Sequence, residues 1–201
     1  MGKSVDNPLR IGIFGGTFDP LHNVHLRIAE AACAAAALDR VLFVVSATPP
    51  HKRDDVTASA EDRCAMTAAA IANRPGFEIC RCELDRPGPS YTADTVEWVQ
   101  EAYPGAIIYL IIGYDSAVDL PRWRHPERIL NRAHLLIAPR PDCPRTLGPE
   151  LNGRYDLLSF AADTLSSTEI RERLEAGEDI SDWAPAAVVH YIREKGLYSC
   201  R

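Results

Sequence analysis

Apolar residues along the chain fall into short runs that alternate with stretches of helical spacing. The runs are short and rich in branched apolar residues, which favours strands; they cover residues 10–14, 41–45, 77–82, 106–112, 134–138 and 156–160. Helical spacing and flanking breaks predict helices from residue 22 and over 60–73, 92–103, 124–131, 167–176 and 185–195. This alternation of strand and helix predicts an α/β fold.

The run at 106–112 is the strongest strand signal in the chain. It is continuous, β-branched and bounded by glycine at both ends, which is typical of a strand that is buried on both faces of a parallel sheet. We therefore expect an open parallel sheet with flanking helices and a short helical C-terminal extension. All 201 residues are expected to form one domain, with a flexible lead-in at 1–9 and a helical part at 161–201.

Composition and charge exclude several classes of partner. The chain carries 22 Lys and Arg against 28 Asp and Glu, a net charge of −6, which speaks against a nucleic-acid partner. No apolar run could cross a bilayer and no signal peptide is evident at the start, so we expect no membrane partner and a cytoplasmic location. The six cysteines form no C-x-x-C pair and are expected to be free thiols. Monomer and homo-oligomer both remain open.

The most informative segment follows the first predicted strand and runs from Gly15 to His25 as G-G-T-F-D-P-L-H-N-V-H. Ligands bind at the carboxyl ends of strands in open α/β sheets, and paired glycines let backbone N–H groups approach an anion. His22 and His25 are three residues apart at the start of the next helix, so they share a face beside its positive end. This placement favours phosphate binding.

Other interpretations of this loop fit less well. Neither the dinucleotide pattern G-x-G-x-x-G nor the phosphate loop G-x-x-x-x-G-K-[ST] is present. A zinc site would need H-E-x-x-H or a third ligand, and neither is evident in the sequence. If the loop has no functional role, it is simply a capped helix start that carries two exposed histidines.

A second cluster of candidate residues, S-S-T-E-I-R, opens a late predicted helix at Ser166. Its local interpretation is a capping box, with Ser166 as N-cap and Glu169 reaching back, closed by Gly177 at the other end. Three consecutive hydroxyls followed by Arg171 also suit a polyphosphate.

The two clusters resemble the two signatures of the nucleotidylyltransferase superfamily with paired histidines, G-G-T-F-D-P-L-H-x-x-H and I-S-S-T-x-I-R. Leu165 stands in place of the isoleucine, and Val24 stands where that family usually has glycine. The resemblance implies a single Rossmann-like nucleotidyltransferase domain that binds ATP. It places the two histidines on the ATP phosphates and the transition state.

Further segments resemble the bacterial nicotinate mononucleotide adenylyltransferases. They are P-P-H-K at 49–52, G-P-S-Y-T at 88–92, G-Y-D-S at 113–116, L-P-R-W at 120–123 and the ending Y-I…G-L-Y at 191–198. The resemblance thus extends from about residue 11 to 198. It implies transfer of the adenylyl group of ATP to nicotinate mononucleotide in NAD biosynthesis, with Mg²⁺ carried by ATP.

The resemblance also implies roles for individual residues. The catalytic set would be His22, His25, Lys52 and Arg171. The ATP-binding set would be Gly15, Gly16, Thr17, Phe18, Gly113, Asp115, Ser167 and Thr168. Contacts with the nicotinate end would come from Thr92, Ala93 and Trp123.

Two alternatives stay open at this point. One is another adenylyltransferase of the same superfamily, with nicotinamide mononucleotide or phosphopantetheine as acceptor. The other is a nucleotide-binding regulator on the same fold that has no turnover.

Overall fold

The computed structural model describes residues 7–47, 56–140, 146–159, 161 and 164–199. Six strands alternate with helices: β1 (Arg10–Gly16), α1 (Asn23–Ala36), β2 (Arg40–Val45), α2 (Ala60–Ile71), β3 (Phe77–Cys80), α3 (Thr92–Ala102), β4 (Ile107–Gly113), α4 (Tyr114–Asp119), α5 (Pro126–Leu130), β5 (Ala133–Ala138), β6 (Tyr155–Leu157), α6 (Ser167–Glu175) and α7 (Ala186–Lys195). None of the helices within these ranges is long and apolar enough to cross a membrane.

All strand pairs are parallel, and the strand order is β3-β2-β1-β4-β5-β6. The expected Rossmann-like open parallel sheet is thereby confirmed. The chain leaves β1 in one direction for β2 and β3, and returns to its other side for β4, β5 and β6. The strand order therefore reverses between β1 and β4, which is where open α/β sheets form a crevice for ligands.

Each face of the sheet is buried by its own layer of helices. Successive side chains of a strand point to opposite faces, so Ile13, Leu110 and Leu135 join one core with α3 and α5. Phe14 and Ile111 join the other core, which is completed by apolar side chains of α1 and α2. Both faces of the sheet are therefore covered, and its strands are buried between the two layers.

A third apolar cluster attaches the C-terminal helices to α2. Ile170 of α6, Val188 and Ile192 of α7, and Met66 of α2 are each buried in it. The first turn of α1 is also tied to this part of the chain, because the backbone N–H of Asn23 donates to the carbonyl of Trp183 at 2.8 Å. The C-terminal helices therefore lie against the part of the molecule that carries residues 15–25, called the first motif; residues 166–171 are the second motif.

The structure corrects three of the expected boundaries. The third strand ends at Cys80, so Cys82 lies beyond it, because Val44–Cys80 is the last pair that β2 and β3 form. The last strand is Tyr155–Leu157 and not 156–160, since it pairs only with β5 along one edge. The helix expected at 124–131 is confined to α5, and α4 and a 3₁₀ turn at Leu120–Arg122 precede it.

Four cysteines fall within the described residues, and all are free thiols, as expected. Cys64, Cys80 and Cys82 are buried and Cys33 is half-buried. Cys143 and Cys200 lie outside the described residues.

Candidate active site

A cavity of about 310 Å³ opens at the carboxyl ends of β1, β4 and β5, next to the point where the strand order reverses. It brings together side chains that are far apart in sequence. Of the expected site residues it is lined by Thr17, His22, His25, Gly113, Asp115, Ser167, Thr168 and Arg171. The first and second motifs, placed at opposite ends of the chain, therefore meet in one cavity.

The loop after β1 is shaped by Gly16 and Phe18. A Cβ at Gly16 would lie 2.8 Å from the Phe18 ring, so a side chain there would displace the ring. The ring is 2% exposed and packs edge-on against Phe14 and His25. Phe18 thus supports the loop from the core, and its expected ATP contact could involve only its main chain. A Cβ at Gly15 would meet no atom within 4 Å, so the backbone is open at that residue.

His22 and His25 hold each other in place. His22 is the N-cap of α1 and is 3% exposed, while His25 lies in the first turn. Their ring centroids are 3.7 Å apart, and the backbone N–H of His22 donates to Nδ1 of His25 at 3.2 Å. Because Nδ1 accepts, the proton of a neutral His25 is on Nε2. His25 can therefore donate through Nε2 without being an imidazolium.

Val24, the residue between the two histidines that replaces the family glycine, is 6% exposed and lines the cavity. Its side chain forms part of the cavity wall and is shielded from solvent.

The second motif forms the first turn of α6, as expected, and it is bonded to the first motif. The hydroxyl of Ser167 donates to the carbonyl of Pro20 at 3.0 Å. Nη1 of Arg171 donates to the carbonyl of Asp19 at 2.9 Å, and Nη2 donates to the hydroxyl of Thr168 at 3.3 Å. These bonds fix the hydroxyls and the guanidinium beside residues 17–25, which are called the histidine loop.

The capping of α6 is confirmed in part. The Ser166 hydroxyl accepts from the N–H of Glu169 at 3.2 Å, as an N-cap does. Glu169 does not reach back, which corrects the expected capping box, because its carboxylate accepts from Arg173 at 2.8 Å instead. Gly177 closes the helix with φ +74°, and the N–H of Glu178 donates to the carbonyl of Arg173 at 2.9 Å.

A third set of cavity residues follows β4 and β5. Gly113 is the N-cap of α4, and Asp115 lies in its first turn. The carboxylate of Asp115 is paired with the guanidinium of Arg140, which follows β5 and also lines the cavity. Arg140 was not among the expected site residues, because a single arginine in a proline-rich segment carries no distinguishing pattern.

The residues expected at the nicotinate end lie at the same edge of the sheet but do not line this cavity. Thr92 and Ala93 are the first residues of α3, and Ala93 is buried in the core. Trp123 ends the 3₁₀ turn after α4 and packs against the same core. The guanidinium of Arg124 lies 4.5 Å from the ring centre of Tyr91, so the two segments are neighbours.

The G-P-S-Y-T segment is also bonded to the strand ends. The N–H of Ala47, just after β2, donates to the hydroxyl of Ser90 at 3.1 Å, and the N–H of Ser46 donates to the carbonyl of Gly16 at 2.9 Å. These two bonds join the start of α3 to the histidine loop. Lys52, with the P-P-H-K segment, lies outside the described residues.

Arg63 of α2 is bonded to the histidine loop, and no sequence pattern predicts this role. It is 1% exposed, and its guanidinium donates to the carbonyls of Thr17 at 2.6 Å and Ala58 at 3.2 Å. Burial lowers the pKa of Arg63, and the nearby carboxylate of Asp19 acts in the opposite direction. Its charge is therefore balanced by the buried Asp19 carboxylate and not by solvent.

Comparisons with known proteins agree with this geometry. The model of the cytidylyltransferase-like family matches residues 13–173. A Thermus thermophilus protein described as "Probable nicotinate-nucleotide adenylyltransferase" is 44% identical over 191 residues, covering 94% of this chain and 100% of the relative. A Moorella thermoacetica protein of the same description is 41% identical, covering 98% of this chain and 95% of the relative.

Solved structures share the fold at lower identity. The nicotinic acid mononucleotide adenylyltransferase of Plasmodium falciparum, complexed with NaAD, superposes with a TM-score of 0.76 at 20% identity, covering 94% of this chain and 97% of that chain. The same enzyme complexed with APC gives a TM-score of 0.75 at 20% identity, with the same coverage.

Proposed function

The chain belongs to the cytidylyltransferase-like family and, within it, to the nicotinate-nucleotide adenylyltransferases, and from this membership we propose that it transfers the adenylyl group of ATP to nicotinate mononucleotide. The products are nicotinate adenine dinucleotide and pyrophosphate. The observation that carries the proposal is the cavity in which His22 and His25 face Ser167, Thr168 and Arg171.

The reaction needs alignment and charge neutralisation more than proton transfer. A 5′-phosphate oxygen of the mononucleotide attacks the α-phosphorus of ATP, the bond from that phosphorus to the bridging oxygen breaks, and pyrophosphate leaves with the electron pair. The nucleophile is already an anion, so no general base is required. The protein holds the two reactants in line and stabilises charge on the phosphoryl oxygens.

The cavity residues supply donors suited to that task. The His25 Nε2–H and the His22 ring would donate to the α- and β-phosphate oxygens. Arg171 and, by resemblance, Lys52 would add positive charge. The hydroxyl of Thr168 would contact a remaining phosphate oxygen, and that of Ser167 would do so by exchanging its bond to the Pro20 carbonyl for one to phosphate. Gly15 and Gly16 end β1 beside this cavity but do not line it, so their expected contact with ATP stays a proposal.

Mg²⁺ would arrive with ATP rather than in a protein cage. No group of three His, Cys, Asp or Glu side chains suited to a metal occurs among the described residues. Asp19 lines the cavity, but its carboxylate is already used by N–H and O–H donors. When bound, the ion neutralises phosphate charge through phosphate and water ligands.

The acceptor would bind between the start of α3 and Trp123. The first N–H groups of α3 are donors at the positive end of a helix, which favours a carboxylate over a carboxamide. Asp94, the acidic residue of that first turn, is paired with Arg128 at 3.1 Å. Trp123 can stack on the pyridine ring whichever substituent the ring bears.

The test is an ATP-dependent assay of pyrophosphate and dinucleotide with nicotinate and nicotinamide mononucleotides side by side. A charge-assisted hydrogen bond predicts a preference in kcat/KM of about 10- to 150-fold for the nicotinate form. Equal or faster turnover of the nicotinamide form would show that the acceptor end is not a donor-only site. Turnover of phosphopantetheine alone, or ATP binding without turnover of any acceptor, would contradict the proposed reaction.

A further inference from the structure

The carboxylate of Asp19 is a buried anion between the two motifs. Its side chain is 2% exposed. Oδ2 accepts from the N–H of Thr57 at 2.7 Å, and Oδ1 accepts from the N–H of Ala58 at 3.1 Å and from the hydroxyl of Tyr198 at 2.6 Å. A buried carboxylate is stable only when donors of this kind surround it.

Tyr198 reaches Asp19 from beyond the last helix. Its ring is 6% exposed and packs in the third apolar cluster with Ile170, Val188 and Ile192. This packing fixes where the hydroxyl points. Burial, and then the hydrogen bond to Asp19, raise the pKa of Tyr198, so the hydroxyl is a donor at neutral pH.

Arg171 is a cation that lies beside the other oxygen of the same carboxylate, Oδ2, whereas Tyr198 donates to Oδ1. Nη1 of Arg171 lies 3.9 Å from Oδ2 of Asp19, although it is bonded to the main-chain carbonyl of that residue. Arg63, the other nearby cation, is already committed to the carbonyls of Thr17 and Ala58. A carboxylate that lost the Tyr198 donor at Oδ1 would carry more uncompensated negative charge, and this charge would draw the Arg171 guanidinium toward Oδ2 and out of its present orientation.

We propose that Tyr198 is a positioning residue for the phosphate end of the site. Its hydroxyl donates to Oδ1 of Asp19 and so weakens the attraction of that carboxylate for Arg171, whose guanidinium then stays oriented toward the phosphates. The inference rests on the proposed function only in that Arg171 binds the phosphates of ATP. It assigns to the end of the chain a part in ATP recognition.

The test compares Tyr198→Phe with Tyr191→Phe. Tyr191 is a matched control, because its hydroxyl donates to a carboxylate oxygen of Asp62 at 3.0 Å and joins α7 to α2 away from the cavity. Tyr198→Phe should raise the KM for ATP about tenfold, since a donor to a buried charge is lost. The KM for nicotinate mononucleotide should change by less than about twofold, as should both constants in Tyr191→Phe.

A double-mutant cycle with Arg171→Ala separates positioning from general loosening of the fold. If Tyr198 acts through Arg171, the effect of Tyr198→Phe on the KM for ATP should nearly vanish in the Arg171→Ala background. An undiminished effect in that background contradicts the proposal, and so does a Tyr198→Phe enzyme with wild-type constants. A Tyr198→Phe chain that cannot fold when Tyr191→Phe can also overturns it, because the hydroxyl would then serve the fold.

Binding of a non-hydrolysable ATP analogue, measured by calorimetry on the wild type, Tyr198→Phe and Tyr191→Phe, keeps this inference distinct from the proposed reaction. If the wild-type protein showed no turnover, the proposed reaction would be contradicted, but the comparison of ATP-analogue binding could still be made. Weaker binding in Tyr198→Phe alone would then still support the positioning role, and equal binding in all three proteins would refute it.

Discussion

His22 and His25 are the residues on which the proposed chemistry most directly depends. They stack at 3.7 Å, and the helix start that carries them is bonded to the C-terminal part of the chain through Asn23. Their positions are therefore fixed before ATP arrives. Donors that are fixed in advance stabilise a transition state without reorganisation.

Replacing either histidine by alanine should lower kcat far more than it weakens ATP binding. Loss of one such donor costs about 10²–10³ in rate, because it acts most strongly when charge shifts in the transition state. Steady-state kinetics with separate variation of both substrates measures this. His190→Ala is the control, since that side chain on α7 is 83% exposed and should leave kcat unchanged. A near-normal kcat in both the His22 and the His25 variants would contradict the assignment of these residues as phosphate donors.

Arg63 shows why part of the site could not be predicted from the sequence. His22, His25, Ser167 and Arg171 belong to motifs and lie at the cavity as expected. Arg63 does not belong to a motif, and in α2 it resembles any solvated arginine. Its partners are main-chain carbonyls, which leave no pattern of residue types in the sequence.

At the scale of elements, the start of α6 presents the second motif. Ser166 caps the helix, and the next two residues carry the hydroxyls that face the cavity. The cap therefore serves both the stability of the helix and the orientation of Ser167 and Thr168.

Ser166→Ala should lower the free energy of unfolding by about 1 kcal/mol, as the loss of an N-cap does, and should also raise the KM for ATP. Ser59→Ala is the matched control, because Ser59 caps α2 with the same bond to its third residue, Asp62, at 3.1 Å. It should cost the same stability and leave the KM for ATP unchanged. Urea denaturation and kinetics on both variants give the comparison, and an equal rise in KM would assign the effect to stability alone.

Long elements were predicted with nearly correct bounds, whereas short ones were predicted with wrong bounds or missed. The apolar runs that form β1, β2, β4 and β5 are mostly buried in the sheet. Burial requires apolar residues at successive positions, and this makes such strands visible in the sequence. α4 has six residues and β6 has three, too few for a clear period in the sequence. α4 packs beside β4 and β5, and β6 pairs with β5.

At the scale of the whole molecule, the site joins regions near both ends of the chain. The bonds from Ser167 to Pro20 and from Arg171 to Asp19 span 147 and 152 residues. A ligand that bridges the two motifs should therefore stabilise the folded chain as a unit.

A non-hydrolysable ATP analogue at about 100 times its Kd should raise the free energy of unfolding by about 2.7 kcal/mol. Hydrogen exchange should slow most in the first turns of α1 and α6 and less in β6, because no residue of β6 lines the cavity. In Arg171→Ala, the same analogue concentration should produce a much smaller gain. Protection confined to the first motif would show that α6 does not contact the ligand.

The bonds that span the chain also bear on how the protein is made. A nascent chain that has emerged only through β5 already has the histidine loop and most of the sheet, but it lacks Ser167, Arg171 and the helices that cover α2. Such a chain would hold an incomplete phosphate site. Activity should therefore appear late in synthesis, as a step at the emergence of the last helices rather than in proportion to length.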